Sequence, residues 1–375
     1  MIEIISIGNE LLSGNTVNTN SSEIGLALQA VGFTNQRVTT VPDEEDIIET
    51  EMLNALARSK FVITTGGLGL TLDDKTLDVC KKAFGLQKRD LKNSVGQVCG
   101  ALFEKGESYL LALPGVPAEM RSMLKEEVIP FILQNCGAEK KSVRHFHLFH
   151  MLEKQIDPFL RETNDAIECG IYPAYGTVSV TFKSTSEKEL DNVSKTFTEK
   201  YGSYIYSTDD KRIEMALHKK MLEQKKTLGL AESCTGGMIA ARLCQIPNAS
   251  DYFLGGIVSY SNPVKKKLLF ASSVEIAGAV SSEVASEMAG GALKQVGSDY
   301  AIAVTGIAGP DGGTDEKPIG TVWASIASKS EQFTGLLPIR GRKQRPSIIE
   351  YTGTYTLGLL WRWLTYGAVP FEEPK

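Results

Sequence analysis

Residues 227–243 read Thr-Leu-Gly-Leu-Ala-Glu-Ser-Cys-Thr-Gly-Gly-Met-Ile-Ala-Ala-Arg-Leu. Thr227 to Ala231 is a short apolar run behind Lys225-Lys226, the pattern of a buried strand. Met238 to Leu243 reads as the first turns of a helix. Ser233 therefore sits on a strand-to-helix turn, the repeating unit of α/β sheets. Free backbone N–H groups at such a turn can hold a phosphate or a developing oxyanion. Gly236 and Gly237 let a ligand come close to the backbone. Helix capping by Ser233 or Thr235 accounts for the same residue types, so the residues downstream have to decide.

Working outward, Asn248-Ala249-Ser250 is followed by a strand within Asp251–Tyr260, rich in aromatic and β-branched residues. It ends in the turn signal Ser261-Asn262-Pro263, and Lys265 then opens a basic helix with Lys266 and Lys267. A second serine, a tyrosine and a lysine beside Ser233 are the parts of a serine hydrolase with lysine as its base. That role needs the lysine pKa to fall by roughly 3 units, which burial can supply. Three solvated lysines at a helix start fit the spacing equally well, and spacing does not separate Lys265 from its neighbours. A further strand, Asp299 to Val304, runs into Thr305-Gly306-Ile307-Ala308-Gly309-Pro310-Asp311-Gly312-Gly313, whose backbone amides suit an anionic or carbonyl ligand. Gly320 to Ala327 alternates like another strand. The basic run Arg340-Gly341-Arg342-Lys343-Gln344-Arg345 before the last helix either clamps a phosphate or is a solvated face.

In the N-terminal half, strands at Ile2–Ile7, Arg37–Val41 and Lys60–Thr64 alternate with helices over 21–31 and 43–58. This is the pattern of a parallel sheet with ligands at the strand C-termini. Loops carrying Glu10 and Gly66-Gly67-Leu68-Gly69-Leu70-Thr71-Leu72-Asp73-Asp74 meet there. Carboxylates beside a glycine-rich loop suit Mg²⁺ or another divalent ion holding a phosphate, while Asp73 and Asp74 also fit helix N-capping. His145 and His147 share one face of a strand and His150 points away, without an acidic or cysteine partner close by, so a metal site is not expected.

The 375 residues call for two or three domains. A net charge of −5 argues against nucleic-acid binding, and the absence of a long apolar run or leader argues against a membrane partner. The expectation is a cytoplasmic protein. Six scattered cysteines without a CxxC pair read as free thiols.

Three ordered elements resemble the C-terminal domain of the competence-damage-inducible (CinA) family: Ala231-Glu232-Ser233-Cys234-Thr235-Gly236-Gly237, Tyr260-Ser261-Asn262 with Lys265, and the 303–313 loop. The resemblance runs from 209 to the end. It implies a nicotinamide mononucleotide amidohydrolase, which hydrolyses the nicotinamide amide to the acid and releases ammonia without cofactor or metal. On it, Ser233 and Lys265 form a dyad assisted by Tyr260 and Ser250. Gly236, Gly237, Thr305 and Gly306 line the nucleotide site, and Arg342 or Arg345 meets the phosphate. The strand-to-helix position favours Ser233 over Ser250 as nucleophile. Cys234 is a rival with no histidine near it in sequence.

The N-terminal loops, with the Leu113–Met120 run, resemble the family's N-terminal domain, a MoaB/MogA-like molybdopterin-binding fold associated with ADP-ribose pyrophosphatase activity. Leu70 replaces the proline of the family's GGLGPTxDD. The chain between Gly85 and Asn93 is shorter than the family pattern, and Gly96-Gln97-Val98-Cys99-Gly100 stands for GTAPG. The fold is expected to survive, with pyrophosphatase activity weak or absent. The expected organisation is α/β throughout: a parallel-sheet domain over 1–137, a small α/β module over 138–208, and the CinA-type domain over 209–375. The resemblance also implies a homodimer acting on a small nucleotide. Rival functions are the N-terminal metal-dependent pyrophosphatase and a non-catalytic, competence-linked nucleotide-binding protein.

Overall fold

The computed structural model describes residues 1–69, 74–84, 89–96, 98–137, 141–339 and 344–372. Its N-terminal strands are β1 (Ile2–Ile7), β2 (Arg37–Val41), β3 (Phe61–Thr65), β4 (Arg89–Leu91), β5 (Gly100–Lys105) and β6 (Ser108–Leu113). They form one sheet in the order β2-β1-β3-β6-β5-β4. β1, β3 and β6 pair in parallel and are almost wholly buried, as β-rich apolar runs between helices must be. The sheet is mixed, which corrects the all-parallel expectation: β5 pairs antiparallel with both of its neighbours, β6 and β4. Only Gly106 and Glu107 join β5 to β6, and two residues cannot make a crossover.

The middle strands β7 (Ser142–Phe149), β8 (Glu168–Pro173), β9 (Thr177–Ser184) and β10 (Ile205–Ser207) form a second sheet in the order β10-β7-β9-β8. Phe146, Phe159, Phe182 and Phe197 pack edge-on and tilted over it. By compactness the chain divides in two: Met1–Val143 with Lys183–Leu190, and Arg144–Phe182 with Asp191–Lys375.

The third sheet takes β11 (Leu228–Glu232), β12 (Phe253–Val258), β13 (Tyr300–Gly306), β14 (Val322–Ser328) and β15 (Gln332–Leu336) in the order β12-β11-β13-β14-β15. The first three pair in parallel, and β14 pairs antiparallel with both β13 and β15. The strand period of two sorts side chains by size. Leu228, Leu230, Ile302 and Val304 face one core with Leu217, Ile348 and Leu357. Ala231, Ala301 and Ala303 face the other, where the Ser282–Val296 helix packs through Met288 and Ala289. Among the described residues no helix is long and apolar enough to cross a membrane.

A largely buried ion pair fixes the helices around this sheet. Arg242, on the Met238–Cys244 helix, donates to Glu214 Oε2 at 2.6 Å and to Thr354 Oγ1 at 3.1 Å. Three helices are tied at one guanidinium. Glu214→Ala leaves that cation only the longer contact to Glu350 at 3.8 Å and is expected to cost about 3 kcal/mol of stability, read from denaturant midpoints. An unchanged midpoint would show the pair is energetically idle.

Candidate active site

Parallel pairing brings the C-terminal ends of β12, β11 and β13 together. Glu232 lies opposite Val258 on one side and Val304 on the other. The next residues, Ser259, Ser233 and Thr305, therefore stand side by side at one edge of the sheet. The Ser233 N–H donates to Val304 O at 3.1 Å and the Ser259 N–H to Glu232 O at 2.7 Å. This is the edge where parallel α/β sheets bind ligands.

The turn after Ser233 is held from inside. Glu232 is 1% exposed, and its carboxylate accepts from the N–H groups of Gly237 (3.0 Å), Ile239 (3.1 Å) and Ala240 (2.8 Å). A buried carboxylate on three helix-terminal amides satisfies both its own charge and those donors. Gly236 (φ +62°) and Gly237 (φ +100°) take the left-handed conformations that bend the chain under it. The Gly236 N–H is engaged within the turn, donating to Ser233 O at 3.1 Å. Among the described residues the N–H groups of Cys234 and Thr235 meet no backbone carbonyl. Thr235 Oγ1 is buried without a partner.

Lys265 is singled out by the fold. Its helix begins at Asn262, three residues before the sequence reading, with Pro263 in the first turn. Lys265 and Leu269, four apart, face inward, while Lys267 is exposed and Lys266 pairs with Glu275. Lys265 is 2% exposed. Its Nζ donates to Ser259 O at 2.7 Å and to Tyr260 O at 3.4 Å, with no carboxylate paired to it among the described residues. Burial holds its pKa below the ordinary lysine value. The neighbouring thiol moves the other way: burial pushes Cys234 up to about 12. That burial disfavours a Cys234 thiolate, the reactive form of a cysteine.

The remaining expected residues divide. Tyr260 is exposed, and its hydroxyl accepts from Arg345 at 2.8 Å. Arg345 also donates to Gly309 O at 2.8 Å, so it joins the Tyr260 turn to the glycine-rich loop. Thr305 Oγ1 donates to Ala279 O at 2.7 Å. A Cβ on Gly306 would come within 2.6 Å of Val322, so that position is dictated by strand packing. Ser250 does not join the group, which corrects its assisting role. It is exposed in the short Ala249–Asp251 turn before β12 begins, whereas Ser233 follows the end of β11. A parallel strand of this length separates the two ends by roughly 20 Å. Arg342 lies outside the described residues.

In the N-terminal unit Glu10, Gly66, Gly67, Gly69 and Asp74 line a cavity of 450 Å³. Asp43 and Glu119 line it too. Asn20 donates to Thr65 Oγ1 and Gly115 O; among the described residues its Oδ1 is buried and unpartnered, as is Glu119 Oε2. Among the described residues no three acidic, histidine or cysteine groups converge as a metal ligand set; Asp73 lies outside them. His145 and His147 stack on one strand face, and His147 Nδ1 meets Ser179 Oγ at 2.8 Å.

Sequence reasoning passed over Glu232 and Ser259. An acidic residue closing an apolar strand was the available signal for Glu232. Ser259 carried none, since its part is played by a backbone carbonyl.

Residues 210–364 match the CinA C-terminal domain, and residues 3–134 match the probable molybdopterin binding domain. The chain is 34% identical to a putative competence-damage inducible protein of Halothermothrix orenii, covering 87% of this chain and 89% of the relative. It is 36% identical to a CinA-like protein of Geotalea uraniireducens, covering 88% and 90%. Among solved structures, the competence/damage inducible protein CihA of Agrobacterium tumefaciens is 33% identical. That likeness covers 40% of this chain and 91% of the other, with a TM-score of 0.39.

Proposed function

The chain belongs to the CinA family, and from that premise we propose that its C-terminal domain deamidates nicotinamide mononucleotide to nicotinate mononucleotide and ammonia. One observation carries the reading: a lysine buried without a carboxylate partner, anchored on the carbonyl that follows β12, beside the Ser233 turn. A buried unpaired lysine is costly unless its neutral form is used.

Neutral Lys265 accepts the Ser233 proton as Oγ attacks the carboxamide carbon. The Cys234 and Thr235 N–H groups, which meet no backbone carbonyl among the described residues, receive the oxyanion. The Lys265 ammonium returns the proton to the departing amine, so ammonia leaves, and water hydrolyses the acyl-serine. Arg345, at the start of the last helix, is the basic group for the phosphate. No step calls for a metal. Ammonia release from nicotinamide mononucleotide should therefore be the same with EDTA as with Mg²⁺. Loss of turnover in EDTA would overturn the serine–lysine reading.

The N-terminal cavity supports a second reading as a nucleotide site. Its unpartnered Asn20 Oδ1 and Glu119 Oε2 suit a ligand that carries donors. Glu10 and Asp74 line the same cavity, but no metal ligand set is assembled there among the described residues.

A further inference from the structure

We propose that Glu232 is the positioning residue of the Ser233 turn, its carboxylate holding three helix amides so that the Cys234 and Thr235 N–H groups, which meet no backbone carbonyl among the described residues, are the ones presented to a reacting carbonyl. The inference rests on the serine–lysine reading and adds a residue that touches no substrate.

The geometry runs from the chain outward. Glu232 ends β11 and Ser233 begins the turn, so the two side chains leave neighbouring Cα atoms in opposite directions. The Glu232 side chain folds beneath the loop that Ser233 crowns. There it takes Gly237, Ile239 and Ala240, while Ser233 O and Thr235 O take the amides of Gly236 and Met238. Every N–H from 236 to 240 is thus committed. A helix N-terminus left open would draw a phosphate or carboxylate to itself. Closed by Glu232, it cannot compete with Cys234 and Thr235 for the substrate's oxygen. The backbone carbonyl of Glu232 extends the same anchorage sideways, accepting from the N–H of Ser259, whose own carbonyl holds Lys265. One residue thereby ties the nucleophile's turn and the base's anchor to a single point of the sheet.

Glu232→Gln keeps the shape but replaces one acceptor oxygen by an NH₂ that opposes the helix amides. Three readouts are taken on the full chain. Amide hydrogen exchange at Gly237, Ile239 and Ala240 should quicken while the sheet stays protected. The kcat for ammonia release should fall about 100-fold, with KM changed by less than about threefold, since ground-state binding is not removed. Phosphonylation of Ser233 by a fluorophosphonate, in which Oγ displaces fluoride, should slow in parallel. Wild-type kcat with lost protection overturns the proposal, as does lost kcat with protection intact. Glu232→Asp, one methylene shorter, should give a milder version of the same pattern. If neither variant folds, Glu232 is a purely structural residue and the proposal falls. Wild type that labels at Ser233 but releases no ammonia ends the deamidase reading alone, and the labelling rates of the variants then judge Glu232. Wild type that neither labels nor turns over ends both.

Discussion

Lys265→Met is expected to lower ammonia release on the order of 10⁴-fold and, at the same time, to raise the melting temperature at pH 7. Both effects follow from one fact. Lys265 is buried with two carbonyl oxygens for company and, among the described residues, no carboxylate paired to it, so its ammonium form is disfavoured in the folded state. In the unfolded chain the lysine titrates near its ordinary value. Between the lowered folded pKa and that ordinary value the unfolded state binds more protons. Stability of the wild type therefore rises with pH across this window and falls as pH drops through it. Methionine has a similar length and no charge, so the variant lacks this pH-dependent penalty. Its advantage in melting temperature should be largest at and below neutral pH and shrink as pH approaches 10. A variant less stable than wild type at every pH would mean the lysine is a structural cation, and the base assignment would fail with it.

Ser233→Ala should reduce turnover by a comparable factor while leaving nicotinamide mononucleotide binding within a few-fold, measured by calorimetry. Cys234→Ala should leave turnover near wild type. The contrast comes from where each side chain sits. The two residues are adjacent, yet Cys234 packs into the apolar core as a neutral thiol, whereas Ser233 lies at the sheet edge beside Ser259 and Thr305. Activity lost with Cys234 and kept with Ser233→Ala would reverse the assignment. Activity insensitive to both, with binding intact, would favour the non-catalytic nucleotide-binding alternative.

Most of the architecture was legible because strand and helix periodicities are local. Ile2–Ile7 and Arg37–Val41 appear with the bounds read from the sequence, and the helix after the Ser233 turn begins at Met238 as its apolar spacing indicates. The antiparallel halves of two sheets were less visible. β4 is three residues long, and β15 carries a pattern of half-buried positions that no periodicity marks. Ser250 was misjudged because proximity in sequence to Ser233 says nothing about which end of a strand a residue occupies.

The sequence by itself determined that a serine would sit on a strand-to-helix turn, that glycines would follow it, and that a lysine-rich helix would come after the next strand. Only the tertiary structure decided which lysine turns inward and which carboxylate closes the turn. Consecutive helical residues differ by about 100° in direction, so the face that meets the sheet selects Lys265 over Lys266 and Lys267. That face is set by parallel strand pairing across residues far apart in the chain, where local pattern carries no information about burial.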